Sequence, residues 1–92
     1  MAEPLKDYVI TDHASLEIER RGLSEEIVRG VLAAPDQRYE VRAGRDVFQS
    51  RASVGKPPKL YLLRVFVDLD RRPAEVVTAY RTSKIDKYWR QP

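Results

Sequence analysis

Cysteine is absent from this 92-residue chain, which excludes a disulfide framework, a thiolate zinc site and a cysteine nucleophile. Long hydrophobic runs are also missing, because no stretch approaches the roughly 18 apolar residues of a membrane-spanning helix. Residues 1–11 contain no apolar core of a signal peptide. We therefore expect a cytoplasmic protein without membrane contact, folded as one domain over residues 1–92.

Sequence motifs that bind nucleotides or metals are missing too. The chain contains no Walker loop, no GxGxxG and no HExxH. Asp68 and Asp70 are spaced so that they can share a Mg²⁺ ion. A turn rich in Asp, Arg and Pro needs such residues for its own geometry, however, so we expect neither a metal nor a cofactor.

Acidic residues are scarce in the second half of the chain. Residues 1–46 carry 7 Lys or Arg against 10 Asp or Glu, a net charge of −3. Residues 47–92 carry 10 against 4, a net charge of +6. This asymmetry favours a polyanionic partner such as nucleic acid, and the alternative is a basic surface that serves only solubility.

Two helices are predicted in the acidic half. The first spans residues 13–21, with Thr11 or Asp12 as its N-cap, and it turns Ala14 and Ile18 towards the core. The second begins after the N-cap Ser24 and ends before Pro35. Its predicted buried stripe is Ile27, Val28, Val31 and Leu32. We expect the two helices to form a hairpin.

From Gln37 onward the hydrophobic period changes from that of a helix to the two-residue period of strands. The predicted strands are residues 37–42, 47–53, 60–67 and 75–82. Tyr8 to Thr11 is either a short strand or an extended lead-in. Ser83 and Asp86 have the spacing of a capping box for a short C-terminal helix. The predicted fold class is therefore α+β, with the helical hairpin packed on one face of a four-stranded antiparallel sheet.

Arg64 stands in the middle of the most hydrophobic strand. Alternation places Leu63 and Val65 towards the helices, and Arg64 and Phe66 on the reverse face. An arginine inside an apolar strand has to reach solvent, a carboxylate or a bound anion.

Hydroxyl groups are concentrated on the last predicted strand. Its period sets Val77 and Ala79 on one face, and Thr78, Tyr80 and Thr82 on the other. The hydroxyl face has the polarity of a working surface. The alternative is purely structural, because Thr and Tyr are common in strands whatever their role.

Three stretches of the chain resemble a known family. They are residues 13–24, which open with His13-Ala14 and close with Arg21-Gly22-Leu23-Ser24; Val31-Leu32 with Pro35-Asp36; and VVTAYRTSKIDKYW at residues 76–89. They resemble the bacterial domain of unknown function 4258, over about Val9 to Trp89. That family is similar in layout to the RelE, ParE and BrnT toxins of the barnase, EndoU, colicin and RelE group.

The resemblance implies a RelE-like fold and a ribonuclease-like toxin, which is bound by an antitoxin. The family positions that this chain matches are His13, Arg21, Thr78, Tyr80, Arg81, Thr82, Ser83 and Lys84. The chain departs from the family at Glu17, where relatives often have a basic residue.

RNA cleavage by its own 2′-hydroxyl needs a base, an acid and cations around the phosphate, and it needs no metal. His13 is the only histidine, so the second proton carrier has to be Tyr80, Lys84 or Glu17. The predicted catalytic residues are His13, Tyr80 and Thr78. The predicted RNA- and phosphate-binding residues are Arg21, Arg64, Arg81, Thr82, Ser83 and Lys84.

Each of these residues also has an ordinary role. A lone histidine at a helix start is often a surface group, and exposed arginines are often solvated or paired with nearby acids. The alternative function is therefore a non-catalytic RNA-binding or protein-interaction domain on the same scaffold. Tyr80 and Phe66 can stack on bases in either case.

Overall fold

The computed structural model describes residues 2–91, so residues 1 and 92 of the predicted domain lie outside the described part. The elements are β1 (Tyr8–Ile10), α1 (Asp12–Arg20), α2 (Glu25–Ala33), β2 (Gln37–Arg42), β3 (Arg45–Val54), β4 (Lys59–Asp68), β5 (Ala74–Thr82) and α3 (Ile85–Tyr88). The strands form one mixed sheet in the order β1-β5-β4-β3-β2. The α+β class is confirmed. The helices within residues 2–91 all lack the length and hydrophobicity of a membrane span.

The sheet has five strands, so the predicted four-stranded antiparallel sheet is wrong by one strand. Strands β2 to β5 pair antiparallel with their neighbours along the chain. β1 pairs in parallel with the start of β5, where Tyr8 lies opposite Ala74 and Ile10 opposite Val76. Three residues are too few to show a two-residue period, and the partner strand is distant in sequence.

Helix α1 begins where its cap residue also contacts the sheet. The Thr11 hydroxyl accepts a hydrogen bond from the Ala14 backbone N–H at 3.1 Å and donates to the Val76 carbonyl at 3.3 Å. Ala14 and Ile18 are buried, as predicted. Because of these contacts, α1 is held alongside β5.

Helix α2 is capped by Ser24, whose hydroxyl accepts from the Ile27 backbone N–H at 3.2 Å. Val28, Val31 and Leu32 are buried. Ile27 is 36% exposed, so the prediction that it is buried is wrong. Val28, Val31 and Leu32 lie on the helix face that is turned towards the sheet. Ile27 is rotated by about 100° from Val28 around the helix axis, and it therefore lies beside this face.

The two helices do not pack as the predicted hairpin. α1 contacts mainly β5, whereas α2 contacts β3 and β4. Both helices therefore cover the sheet separately. The sheet contributes Phe48, Leu63, Val65 and Val67 to the core beneath them.

A register shift interrupts the predicted alternation on β5. Phe66 pairs with Thr78 and Val67 pairs with Val76, so Val77 is an extra residue between them. The prediction that Val77 shares a face with Ala79 is therefore wrong. Val76 is the fully buried neighbour of Ala79 in the core. A bulge of this kind cannot be read from a two-residue period.

The reverse face of the sheet, defined here by Gln49, Arg64 and Tyr80, is partly covered by the C-terminal segment. The Tyr88 carbonyl accepts hydrogen bonds from the Gln49 amide and the Tyr39 hydroxyl. The predicted Ser83 capping box is wrong, because Lys84 is the N-cap of α3 and makes no side-chain cap bond.

Candidate functional site

One cluster of polar side chains lies where α1 runs beside β5. Since β1 ends opposite Val76, β5 has no strand neighbour on this side from residue 77 onward within residues 2–91. His13 and Glu17 are four residues apart on α1, and Arg21 at its C-cap is four residues further, so all three share a helix face. We call His13, Glu17, Arg21 and Thr78 the helix cluster.

The Thr78 hydroxyl connects the charged groups of the helix cluster. It accepts a hydrogen bond from Nη1 of Arg21 at 2.8 Å and donates one to Oε1 of Glu17 at 2.8 Å. Nη1 of Arg21 also donates to the Ala79 carbonyl at 3.0 Å. Nε2 of His13 lies 3.8 Å from Oε2 of Glu17, and the His13 side chain is 77% exposed. One carboxylate oxygen of Glu17 is therefore held by β5, while the other faces an accessible imidazole.

The surroundings of Glu17 favour its ionised form. The hydrogen bond from Thr78 lowers the pKa of the Glu17 carboxyl below its ordinary value, and the charges of Arg21 and His13 act in the same direction. Glu17 is therefore a carboxylate at neutral pH. Chemically, the cluster offers a proton acceptor, an imidazole that can carry a second proton, and a guanidinium beside both.

A second cluster surrounds Arg64 on the reverse face. The Arg64 side chain is only 5% exposed. Its Nε donates to Oε1 of Gln49 at 3.0 Å, its Nη1 to the Tyr80 hydroxyl at 2.7 Å and its Nη2 to the Tyr39 hydroxyl at 2.9 Å. These partners are neutral, whereas the sequence suggested solvent, a carboxylate or a bound anion.

Aromatic rings enclose the same guanidinium. Its central carbon lies 4.1 Å from the ring centre of Tyr88, 5.1 Å from Phe66 and 5.8 Å from Tyr80. Within the described residues, Arg64 forms no ion pair with a carboxylate. The buried charge is therefore stabilised by neutral acceptors and ring faces. We call Arg64 with Tyr39, Gln49, Phe66, Tyr80 and Tyr88 the arginine cage.

Cross-strand register builds this cage. Gln37, Gln49, Arg64 and Tyr80 lie opposite one another on β2, β3, β4 and β5. Gln37 continues the row to the C-terminal segment, because its Oε1 accepts from the Arg90 N–H at 3.0 Å and its Nε2 donates to the Arg90 carbonyl. The segment after α3 is thus fastened to the sheet by side-chain amides.

Tyr80 belongs to the arginine cage and has no hydrogen bond to His13. Burial raises the pKa of the Tyr80 phenol, and the hydrogen bond from Arg64 offsets part of that rise. A phenol with a raised pKa keeps its proton at neutral pH and is a weaker proton donor. The geometry thus favours Glu17 over Tyr80 as the partner of His13.

The remaining predicted binding residues lie outside both clusters. Arg81 is exposed, with its guanidinium 4.9 Å from the ring centre of Tyr61. The Thr82 hydroxyl accepts from the Lys84 backbone N–H at 3.1 Å. Ser83 and Lys84 are exposed before the four-residue helix α3.

The structure brings together three of the predicted residues, His13, Arg21 and Thr78, and sets Tyr80 against Arg64. The spacing of four along α1 was visible in the sequence and was sufficient to associate Glu17 with His13 and Arg21. The roles of Tyr39, Gln49 and Tyr88 were missed, because one sequence carries no signal of cross-strand register.

Comparison with protein-family models, curated proteins and solved structures finds no match to this chain. The resemblance to the domain of unknown function 4258 and to RelE-like toxins therefore stays a prediction.

Proposed function

We propose that this protein is a metal-independent endoribonuclease of toxin type and that the helix cluster is its active site. The observation that supports this proposal is the approach of the His13 imidazole to the Glu17 carboxylate at 3.8 Å, beside Arg21. A proton acceptor, a proton carrier and a phosphate-binding cation are the groups that cleavage through the 2′-hydroxyl requires.

In this mechanism Glu17 takes the proton of the 2′-hydroxyl as the 2′-oxygen attacks the phosphorus. Protonated His13 gives its proton to the 5′-oxygen as the bond between phosphorus and that oxygen breaks, which leaves a 2′,3′-cyclic phosphate. Arg21 stabilises the charge that develops on the phosphate oxygens. Thr78 positions Glu17 through its hydrogen bond. Glu17 replaces Tyr80 as the second proton carrier, because Tyr80 is bound to Arg64.

The first test measures cleavage of single-stranded RNA by the purified protein with and without EDTA. Cleavage should persist in EDTA, since the proposed site uses protein groups alone. His13→Ala and Glu17→Gln should each slow cleavage by about 10²- to 10⁴-fold, the usual contribution of a positioned acid or base. Glu25→Gln is the matched control, because Glu25 is an exposed helical carboxylate paired with Arg29.

Equal cleavage by all three variants would contradict the assignment of the helix cluster. RNA binding without cleavage by the parent would favour the alternative, a non-catalytic RNA-binding module on this scaffold. The antitoxin partner also remains a proposal. Growth arrest on induced expression, relieved by the product of a neighbouring reading frame, would support it.

The pH dependence of cleavage should have an acid limb that is set by Glu17. The rate should rise with pH as Glu17 loses its proton, and this limb should lie below the ordinary carboxyl value of about 4.3 because the pKa of Glu17 is lowered. The residual activity of Glu17→Gln should lack the acid limb. If Glu17 were purely structural, the pH profile of this variant would have the same shape as that of the parent.

A further inference from the structure

Aromatic side chains continue across the reverse face from the position of Thr78. Phe66 lies opposite Thr78 in the sheet register. The Phe66 ring is stacked on Tyr80 with ring centres 5.9 Å apart, and Tyr80 meets the edge of Tyr88 at 6.5 Å. Tyr88 is followed by Trp89, and all four rings are only partly buried.

Cations border the far end of this row. The guanidinium of exposed Arg51 lies 4.3 Å from the ring centre of Trp89, and that of exposed Arg90 lies 3.9 Å from Tyr39. Within residues 2–91, neither arginine forms an ion pair with a carboxylate. Both charges are therefore available to an anion from outside the chain.

The sheet register gives the separation between the two ends. Arg51 lies opposite Leu62, which lies opposite Thr82, so Arg51 is two strands across and four residues along from Thr78. With about 3.3 Å per residue and about 4.8 Å between strands, the two positions are about 16 Å apart. A few nucleotides of an extended single strand cover this distance.

We propose that the reverse face carries a track for single-stranded RNA, which runs from the helix cluster over Phe66 and Tyr80 to a distal subsite formed by Trp89 and Arg51. This inference rests on the proposed function, for which it names the form of the substrate. Bases stack on the aromatic rings, and Arg51 and Arg90 contact the phosphates. A duplex is not bound in this way, because its base faces are already stacked on one another.

Trp89 supplies the readout, since it is the only tryptophan in the chain. The experiment uses the His13→Ala protein, so that the RNA stays intact, and titrates it with a single strand of about ten nucleotides. Trp89 fluorescence should be quenched along the same binding curve that RNA anisotropy gives. A duplex of the same sequence should bind at least tenfold more weakly.

Variants in the same background separate stacking from charge. Trp89→Ala should weaken binding by about five- to hundredfold, the usual yield of one base–aromatic stack. Arg51→Gln should lower the slope of log affinity against log salt by about one. Arg29→Gln is the matched control, because Arg29 is also exposed and also lies over a ring, that of Tyr8, but is on α2. It should change neither quantity.

Binding that leaves Trp89 fluorescence unchanged, or equal losses in Arg51→Gln and Arg29→Gln, would overturn the track. Equal affinity for duplex and single strand would overturn it as well. If the track fails while the parent still cleaves RNA through His13, the proposed active site is unaffected. If Trp89 is quenched while the parent cleaves nothing, the track stands and the nuclease proposal fails.

Discussion

Arg64 is a cation in the interior that is stabilised without a carboxylate. Its three hydrogen-bond acceptors lie on β2, β3 and β5, so one side chain links four neighbouring strands. A lysine offers no planar fork and cannot replace these three directed bonds. We infer that Arg64 is first of all a structural residue, and that its predicted role in phosphate binding needs the C-terminal segment to move away.

Replacement of Arg64 by methionine should destabilise the fold by about 2 to 4 kcal/mol. The side-chain volume is roughly retained, but a buried amide oxygen and two phenols lose their donor. Urea unfolding of Arg64→Met and of the exposed control Arg29→Met measures the difference. The control should stay within about 0.5 kcal/mol of the parent, as surface substitutions do. A similar small change in both would show that the cage contributes little to stability.

Asp68 makes the stability of the fold depend on pH. Its carboxylate accepts from Nε of Arg45 at 2.6 Å and from Nη2 at 3.1 Å. These bonds hold the pKa of Asp68 below its ordinary range. A lowered folded pKa means that the stabilisation is present above the unfolded value of about 3.9 and is lost as pH falls through the folded pKa.

Asp68→Asn should therefore lower the free energy of unfolding at pH 7 by about 1 to 3 kcal/mol. The gap to the parent should close as the pH is taken below about 4. Urea titrations at a series of pH values measure this, with the exposed Asp7→Asn as control. A gap that is constant down to the lowest pH would mean that packing, rather than the ion pair, is responsible.

Replacement by alanine should change the stability in opposite directions at two glycines. Gly44, between β2 and β3, has a φ of 82°, and an added Cβ would lie 2.9 Å from Oδ2 of Asp70. Gly30 lies inside α2, and nothing within 4 Å would meet its Cβ. Gly44→Ala should destabilise by about 1 to 2 kcal/mol, whereas Gly30→Ala should stabilise by about 0.5 to 1 kcal/mol. Thermal unfolding of both variants tests the contrast, and equal signs would contradict it.

Elements whose boundaries depend on local chemistry were predictable from the sequence. Thr11 and Ser24 cap their helices through hydrogen bonds three residues away, so a short stretch contains the whole signal. The sequence does not distinguish β1 from an extended lead-in, because β1 is stabilised by pairing with a strand more than sixty residues away, in register from Tyr8↔Ala74 to Ile10↔Val76. Val77 was misplaced for a related reason, since a bulge is defined by the partner strand.

For the molecule as a whole, the uneven charge predicts how RNA binding depends on salt. The half with a net charge of +6 contains β4, β5 and the C-terminal segment, which bear the proposed track. Affinity for single-stranded RNA should fall steeply between about 50 and 200 mM salt, because each phosphate contact releases counterions. Arg90→Gln should flatten the dependence, because exposed Arg90 borders the proposed track. Affinity that is independent of salt would contradict a polyanionic partner.

Only part of the candidate site can be predicted from the sequence. Contacts between residues close in sequence are predictable, and contacts between distant residues are not. The spacing of four that sets His13, Glu17 and Arg21 on one helix face is contained in the sequence, but the predicted site names Glu17 only as one of three possible second proton carriers. Thr78 was connected with them only through the family resemblance, because its contact with α1 joins residues about sixty positions apart. The arginine cage depends on the register of four strands at once, which a single chain does not reveal.

Arg21 has a consequence for how copies of this chain meet. Past Val76, β5 has no strand neighbour on this side within residues 2–91, and such an edge can pair with a strand from another molecule. Arg21 donates a hydrogen bond to the Ala79 carbonyl on this edge, so this carbonyl is not free to accept one from an added strand. Loss of this guanidinium would promote self-association, which increases with protein concentration. A weaker RNA affinity caused by a lost phosphate contact would instead be the same at every protein concentration. The residue that is proposed to bind the substrate phosphate thus also disfavours self-association through the edge of β5.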